Sequence, residues 1–340
     1  MKQVIALSVA LAASMVGSYL TWTNDTEPVE TDGTDVYRAG EGDLATLTWK
    51  SDDRTIVVTR KTDALGDYLW LESQEVRKVP RPVEPSETPE DGAPPLTPEI
   101  EMVEEVTEVA FAGNAAAEKL WSDFQPLVAL RELPDAPSLD AATFGLEEPT
   151  GTVTVGLSGR ELELLIGGET YGSKDRYAKV DQRVFLLDDG DLRPLQFAAS
   201  RLVERSLFPL LEEEVEEVVV RGPSGDALTF IHKHRDDRAA AFWAWSSHPN
   251  DPDDQVDAWV GRALKVKLRS YTTAEEAGAL RPFLTYEVRG KGQAYPIELL
   301  EDAGGTVYAR SGFNRSLVEL TDSLVDGLSD ELSELTPPTE

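Results

Sequence analysis

The sequence predicts an α+β protein: two tandem, related units of antiparallel strands covered by helices, placed after one N-terminal membrane-spanning helix. Three observations predict it. Short runs that alternate apolar and polar residues, the period-2 pattern of half-buried strands, are interleaved with runs at helical spacing. The stretch Tyr177 to Val180 followed by Arg183 to Leu192 has a later echo, Tyr308 to Ser311 followed by Arg315 to Leu324, with the two tyrosines 131 positions apart. Upstream, Gly145 to Pro149 with Thr152 to Val155 recurs as Ala279 to Pro282 with Thr285 to Val288. Self-similarity at a fixed period marks a duplicated structural unit.

The first element is the run Val4 to Trp22, nineteen residues without a charge, preceded by Lys2. Asp25, Glu27, Glu30 and Asp32 follow, with no Lys or Arg before Arg38. Such a run is long enough to span a bilayer as a helix. Its flanking charges orient the rest of the chain outward. Residues 1–23 are therefore expected to be a signal-anchor helix in the bacterial inner membrane, crossing once, with the bulk of the chain in the periplasm. A cleaved signal peptide is the competing reading. Residues 24–42 read as an acidic tether.

The first unit is expected over 43–205. Leu44 to Trp49 and Thr55 to Arg60 alternate around the turn Ser51-Asp52-Asp53, and Tyr68 to Leu71 gives a third strand. Within 79–112, seven prolines are interleaved with acids and no Lys or Arg occurs between Arg81 and Lys119. That composition predicts an extended, mostly mobile insertion. Asn114 is a plausible N-cap for a helix whose apolar face is Leu120, Trp121, Phe124, Leu127 and Val128, with Pro126 limiting its length. Strands follow at Thr152 to Leu157, Glu161 to Ile166, Tyr177 to Val180 and Arg183 to Leu187, and Leu192 to Leu202 closes the unit as a helix. The second unit, 206–336, repeats the order. Val215 to Val220 and Ala227 to His232 flank Gly222-Pro223-Ser224-Gly225, and Phe242 to Trp245 follows. Trp259 then stands in a helix where Trp121 stood. Thr285 to Val288, Pro296 to Leu300, Val307 to Arg310 and Leu317 to Leu320 are strands, and Ser323 to Leu335 is a last amphipathic helix.

The motifs Phe144-Gly145-Leu146-Glu147-Glu148-Pro149, Ile166-Gly167-Gly168-Glu169-Thr170 and Tyr177-Ala178-Lys179-Val180 carry a resemblance. They are similar to the FGL-x-x-P turn, IG-x-x-T turn and Y-x-x-V strand of the DUF4340 domain-containing family. The resemblance covers roughly 43–205, with the second unit a degenerate copy that lacks the IG-x-x-T turn. It implies a bacterial protein with an N-terminal anchor. Some members are encoded beside ABC-type transporter components of the kind linked to gliding motility, which implies an accessory role in an envelope complex.

Composition narrows function further. Of 340 residues, 63 are acidic and 32 basic, a formal net charge of -31. Phosphate recognition needs a basic footprint, so nucleic acid is not an expected partner. The absence of cysteine removes disulfides, thiol nucleophiles and thiolate metal sites. His232 and His234, at i and i+2, would share a strand face and could bind zinc or copper with a carboxylate. Lys233, Arg235 and Arg238 oppose that. Asn250-Asp251-Pro252-Asp253-Asp254, with Asp257, resembles a calcium loop only in charge, and helix capping explains it more simply. Gly168 to Lys174 lacks phosphate-loop spacing, and neither G-x-S-x-G nor H-E-x-x-H occurs. Trp70, Trp121, Trp243, Trp245 and Trp259 fall on apolar faces and read as core. No catalytic, cofactor or metal residue is assigned. The expectation is a non-enzymatic, membrane-anchored interaction protein with a protein partner in the envelope. A ligand-binding or hydrolytic module with its site between the two units is the alternative.

Overall fold

The computed structural model describes residues 33–40, 42–83, 99–136, 140–221 and 227–338. The expected anchor, residues 24–32 and 41 of the expected tether, and the turn Gly222-Pro223-Ser224-Gly225 lie outside the described residues. The rest of that stretch is not a tether, because Thr34–Asp35 pairs with Val128–Ala129 and Val36 and Tyr37 are buried in the core. In chain order the elements are β1 (Thr34–Asp35), β2 (Leu44–Lys50), β3 (Arg54–Asp63), β4 (Gly66–Val83), β5 (Glu99–Ala112), α1 (Ala115–Asp123), β6 (Val128–Ala129) and β7 (Arg131–Glu132). Then come a 3-10 turn (Ala141–Phe144), β8 (Gly151–Leu157), β9 (Arg160–Glu169), β10 (Arg176–Val180), β11 (Arg183–Leu187), α2 (Asp189–Gln196) and α3 (Ala198–Arg201). The remainder is β12 (Glu217–Arg221), β13 (Ala227–Lys233), β14 (Phe242–Trp245), α4 (Asp254–Ala263), β15 (Leu268–Thr272), α5 (Ala274–Ala277), β16 (Arg281–Gly290), β17 (Gln293–Glu301), β18 (Val307–Ser311), β19 (Leu317–Leu320), α6 (Asp322–Val325) and α7 (Leu328–Glu334).

Two large antiparallel sheets dominate, and the helices are few and short. The first sheet runs β5-β4-β3-β2-β8-β9-β10-β11-β7 and the second β14-β13-β12-β16-β17-β18-β19-β15. Set side by side, β4 to β7 of the first order takes the same course as β14 to β15 of the second, strand for strand in chain order. Among the described residues the one surplus strand of these two sheets is β5, added at the outer edge of the first.

Alternation places the side chains. β8 buries Val153, Val155 and Leu157 on one face, and β2 presents Leu44, Leu47 and Trp49 to the same interior. The two longer helices are seated by their caps. Asn114 accepts from the amides of Ala116 (2.9 Å) and Ala117 (3.1 Å), and α1 buries Ala117, Leu120 and Trp121. Asp253 accepts from Gln255 (2.9 Å) and Val256 (3.1 Å), and α4 buries Val256, Trp259, Val260 and Ala263. One contiguous cluster of buried apolar side chains includes members of both sheets, from Leu47 and Phe111 to Tyr286 and Val318.

The segment between the sheets is hydrogen-bonded to each. On one side the Glu204 amide donates to Ala112 (2.8 Å) beside a bridge between Gly113 and Val203. On the other the Leu268 amide donates to Arg205 (3.2 Å) beside a bridge between Ser206 and Lys267. Asn314 Nδ2 donates to the Ser206 carbonyl (2.9 Å), and Phe111 of β5 meets Tyr271 of β15 with ring centroids 6.1 Å apart.

Several expectations are corrected in detail. The insertion within 79–112 is not simply a mobile loop, because its two ends form the paired strands β4 and β5. Residues 84–98 between them are not described. Cross-strand pairing satisfies the backbone there despite the poor apolar content. The closing helix Leu192 to Leu202 divides at Phe197, and the last helix divides at Asp326-Gly327, where Gly327 adopts φ +78°. β15 has a strand pattern the sequence reading passed over. Among the described residues no helix is long and apolar enough to cross a membrane.

Candidate functional site

Two surfaces stand out, a cleft at the junction of the sheets and an arm projecting from the first. The cleft has a volume of about 360 Å³ and draws its walls from both sheets, including Tyr68, Asn114, Glu118, Glu204, Tyr295 and Arg315. Arg315 lies in the β18–β19 turn with φ +58°, a left-handed conformation uncommon for a residue with a side chain. From there its guanidinium reaches the β3–β4 turn of the other sheet. Nε donates to Asp63 Oδ2 (2.8 Å), Nη2 to Asp63 Oδ1 (3.3 Å) and Nη1 to the Phe313 carbonyl. Its carbon Cζ sits 3.9 Å from the centre of the Tyr68 ring, within cation–π range. The Arg315 hydrogen bond holds the Asp63 carboxyl below the usual carboxylate range.

The other polar groups of the cleft are also engaged. Arg60 donates to Glu118 (2.7 Å), the Ser206 amide to Glu204 (2.7 Å), Thr62 to Asp67 (2.7 Å) and the Tyr295 hydroxyl to Gln293 (2.5 Å). The arrangement can hold two sheets in a fixed relation, and its aromatic walls could also stack a small planar or cationic group.

The arm is the outer part of the β4–β5 hairpin. β3 pairs with β4 only from Gly66 to Glu75, whereas β4 and β5 stay in register for eight further pairs, Val76 with Val106 through Val83 with Glu99. At about 3.3 Å per residue these extend the ladder roughly 25 Å past the end of β3. Strict alternation makes the arm two-faced. One face carries Val76, Pro80, Ile100, Met102 and Val106, with Ile100, Met102 and Val106 exposed at 65%, 56% and 53%, and the Lys78–Glu104 pair stands among them between Met102 and Val106. The opposite face pairs Glu101 with Arg81 and Glu105 with Arg77. The sequence reading missed this surface because prolines and glutamates mask the period-2 spacing of Ile100, Met102 and Val106.

The residues singled out from sequence are scattered. His232 stacks on Trp243 (4.4 Å, 12°) with Nδ1 3.1 Å from the Val215 carbonyl, and partial burial lowers its pKa. His234 follows the end of β13 at φ +53° and lies beside Phe242, so the two imidazoles do not share a site. His248 contacts Ser247 (3.1 Å). Among the described residues no three His, Cys, Asp or Glu side chains are grouped to hold a metal ion. Asp253 caps α4 and also accepts from Trp245 Nε1 (2.9 Å), which accounts for its place in the acidic run. Gly168 and Glu169 end β9, and Thr170 to Asp175 connect it to its partner β10, with Tyr171 fully exposed. Trp121, Trp243, Trp245 and Trp259 are buried, and Trp70 packs partly buried against the same core.

The turn motifs meet in a small core of their own. Phe144, Leu146 and Val184 are buried together with Ala136, and Leu165 and Tyr177 pack against them. The Phe144 and Tyr177 rings meet edge to face at 5.0 Å. A second small core, Ala277, Leu300, Tyr308 and Leu317 with Leu280, holds the corresponding tyrosine of the other sheet. These motifs therefore build packing.

No curated protein and no solved structure was found to match the chain. A family model does match over residues 112–277, from the end of β5 through α5, so that β2–β4 and β16–β19 lie outside the matched stretch. With its FGL turn, IGG strand end and Tyr177 strand inside that range, the chain is a DUF4340 domain-containing protein, the family being described as a domain of unknown function.

Proposed function

We propose that this chain is a non-enzymatic interaction component of the bacterial envelope, tethered to the inner membrane by Val4 to Trp22 with its sheets in the periplasm. In this reading it is an accessory to a membrane complex, with ABC-type transporter components as candidate partners. The observation that carries the reading is the β4–β5 arm. It is a two-stranded ribbon extending past its sheet with an exposed apolar face, and such a ribbon is marginal alone in water. Exposed apolar side chains gathered on one face of a projecting ribbon mark a contact surface, and here one charged pair, Lys78 with Glu104, stands among them. The matching strand orders support a duplicated module, with β5 and the outer part of β4 added to one copy as the contact device.

The test is affinity purification of the full-length chain from gently solubilised membranes, beside an Ile100→Thr/Met102→Thr/Val106→Thr variant. The same membrane protein should accompany the parent reproducibly and be lost from the variant, while both unfold at the same temperature. Failure to retain any membrane partner under every gentle condition removes the reading.

A second reading is favoured by the cleft, where Tyr68 and Arg315 converge from different sheets. It would take a small ligand there. A ligand that raises the melting temperature of the parent but not of Tyr68→Ala supports it.

A further inference from the structure

Resting on the reading of the arm as a contact surface, we propose that the free edge of β5 receives an extended, basic segment of a partner protein as an added strand. β5 is the terminal strand of its sheet. From Glu99 to Ala110 its only strand partner among the described residues is β4. Beyond this, at Ala112 and Gly113, the Glu204 amide and Val203 take up the edge, so the free stretch has a defined inner end. Its length, twelve residues or about 40 Å, is ample for the strand-addition mode of peptide recognition.

The occupied side of β5 states what the free side accepts. Across from Glu101, Glu104 and Glu105 stand Arg81, Lys78 and Arg77 of β4. Directly opposed residues in an antiparallel ladder lie about 5 Å apart, and opposite charges there are favourable. A strand added to the outer edge meets the same glutamates. Lys or Arg on the Glu101 and Glu105 face would complete the charge pattern. On the other face apolar residues would extend Ile100, Met102 and Val106, with a Lys or Arg beside Glu104 between them. The occupant is thus a segment alternating basic and aliphatic residues. A second copy of this chain is disfavoured at the same edge, because two β5 strands would set Glu101, Glu104, Glu105 and Glu108 against their equivalents. Anionic lipid is disfavoured by the same charges.

The test uses the purified full-length chain in detergent and three blocked, fluorescent nine-residue peptides. One alternates lysine with valine and threonine. One has glutamate for lysine. One is the lysine peptide N-methylated at every internal amide, which removes the donors of both edges but keeps its charge. The lysine peptide should bind saturably, at least tenfold tighter than either other peptide. Glu101→Gln/Glu105→Gln should weaken it about tenfold without changing the melting temperature. Equal binding of the N-methylated peptide would mean charge adsorption only and overturns the proposal, as does arm-dependent dimerisation in sedimentation. A membrane partner lost from the Ile100→Thr/Met102→Thr/Val106→Thr variant but retained by Glu101→Gln/Glu105→Gln, and not displaced by the lysine peptide, would sink the basic strand while leaving the contact reading intact.

Discussion

Gly145 is pressed against the backbone of Gly168: a Cβ on Gly145 would lie 2.7 Å from the Gly168 nitrogen. The approach is reciprocal, since a Cβ on Gly167 would lie 2.3 Å from the Phe144 carbonyl oxygen. Gly145 also has φ +64° at the end of the 3-10 turn. The FGL and IGG motifs are therefore two halves of one backbone-on-backbone contact, and their glycines are steric requirements. Gly145→Ala and Gly167→Ala should each cost about 2 kcal/mol or more in urea unfolding, through the clash and, at Gly145, the left-handed backbone. Gly261→Ala in α4, where a Cβ meets nothing within 4 Å, should be neutral or stabilising by up to ~1 kcal/mol. Equal losses at all three positions would disprove the packing account.

That contrast also shows what could be read in advance. The strands of both sheets were legible where burial is one-sided, as in Leu44 to Trp49 and Thr152 to Leu157, because period 2 follows directly from the pleat. The cap at Asn114 was legible, and so was a cap from the acidic run Asn250 to Asp254, because caps act within three residues; which acid serves, Asp253, is settled by the fold. β5 was not legible, since its outer half pairs with β4 without a buried face to impose an apolar pattern. Nor was the link between Arg315 and Asp63, which are 252 positions apart. Nothing local in either segment specifies the other, so the cleft could be expected only as a place between units.

Arg315 should act as a clamp between the sheets. Arg315→Ala removes the fork to Asp63 and the stacking on Tyr68, and the stacking alone is worth about 1 kcal/mol at a partly covered site. Arg315→Lys keeps a charge but loses the planar fork, so it should recover only part of the loss. In the Arg315→Ala background Asp63→Asn should add little, because the shared interaction is already gone. Additive effects of the two substitutions in urea unfolding would contradict direct coupling.

Asp191 should make stability fall as pH rises through the mildly acidic range. Desolvation first, then the neighbouring charges of Asp188 and Asp123 raise its pKa to about 6, while Lys119 acts in the opposite direction. A carboxyl with a raised folded-state pKa binds its proton more tightly folded than unfolded. The native state thus gains below about pH 4 and loses that advantage as pH climbs to 6. The difference between the ordinary aspartate value and about 6 corresponds to roughly 3 kcal/mol, which partial exposure reduces to about 1–2 kcal/mol. Asp191→Asn should therefore stabilise the chain by that amount at pH 7 and by almost nothing at pH 4. A gain equal at both pH values would show that charge is not the cause.

Trp259 should govern the C-terminal helix through a single polar atom. It is 1% exposed, and its Nε1 donates to the Leu328 carbonyl (2.8 Å), the first residue of α7. Leu328 is itself fully buried, so water cannot replace the bond. Trp259→Phe preserves most of the apolar packing against Phe230 but leaves that carbonyl without its donor, at a cost of about 1–3 kcal/mol. Arg262, one turn further along α4, is ion-paired with Glu331 of α7 at a partly exposed position and should contribute far less. Hydrogen exchange distinguishes the two contributions. Trp259→Phe should speed exchange across Leu328 to Glu334 well before it affects β16 or β17, whereas Arg262→Gln should change it little. Uniform acceleration throughout the second sheet would instead mean that the indole matters as core volume alone, with no special hold on α7.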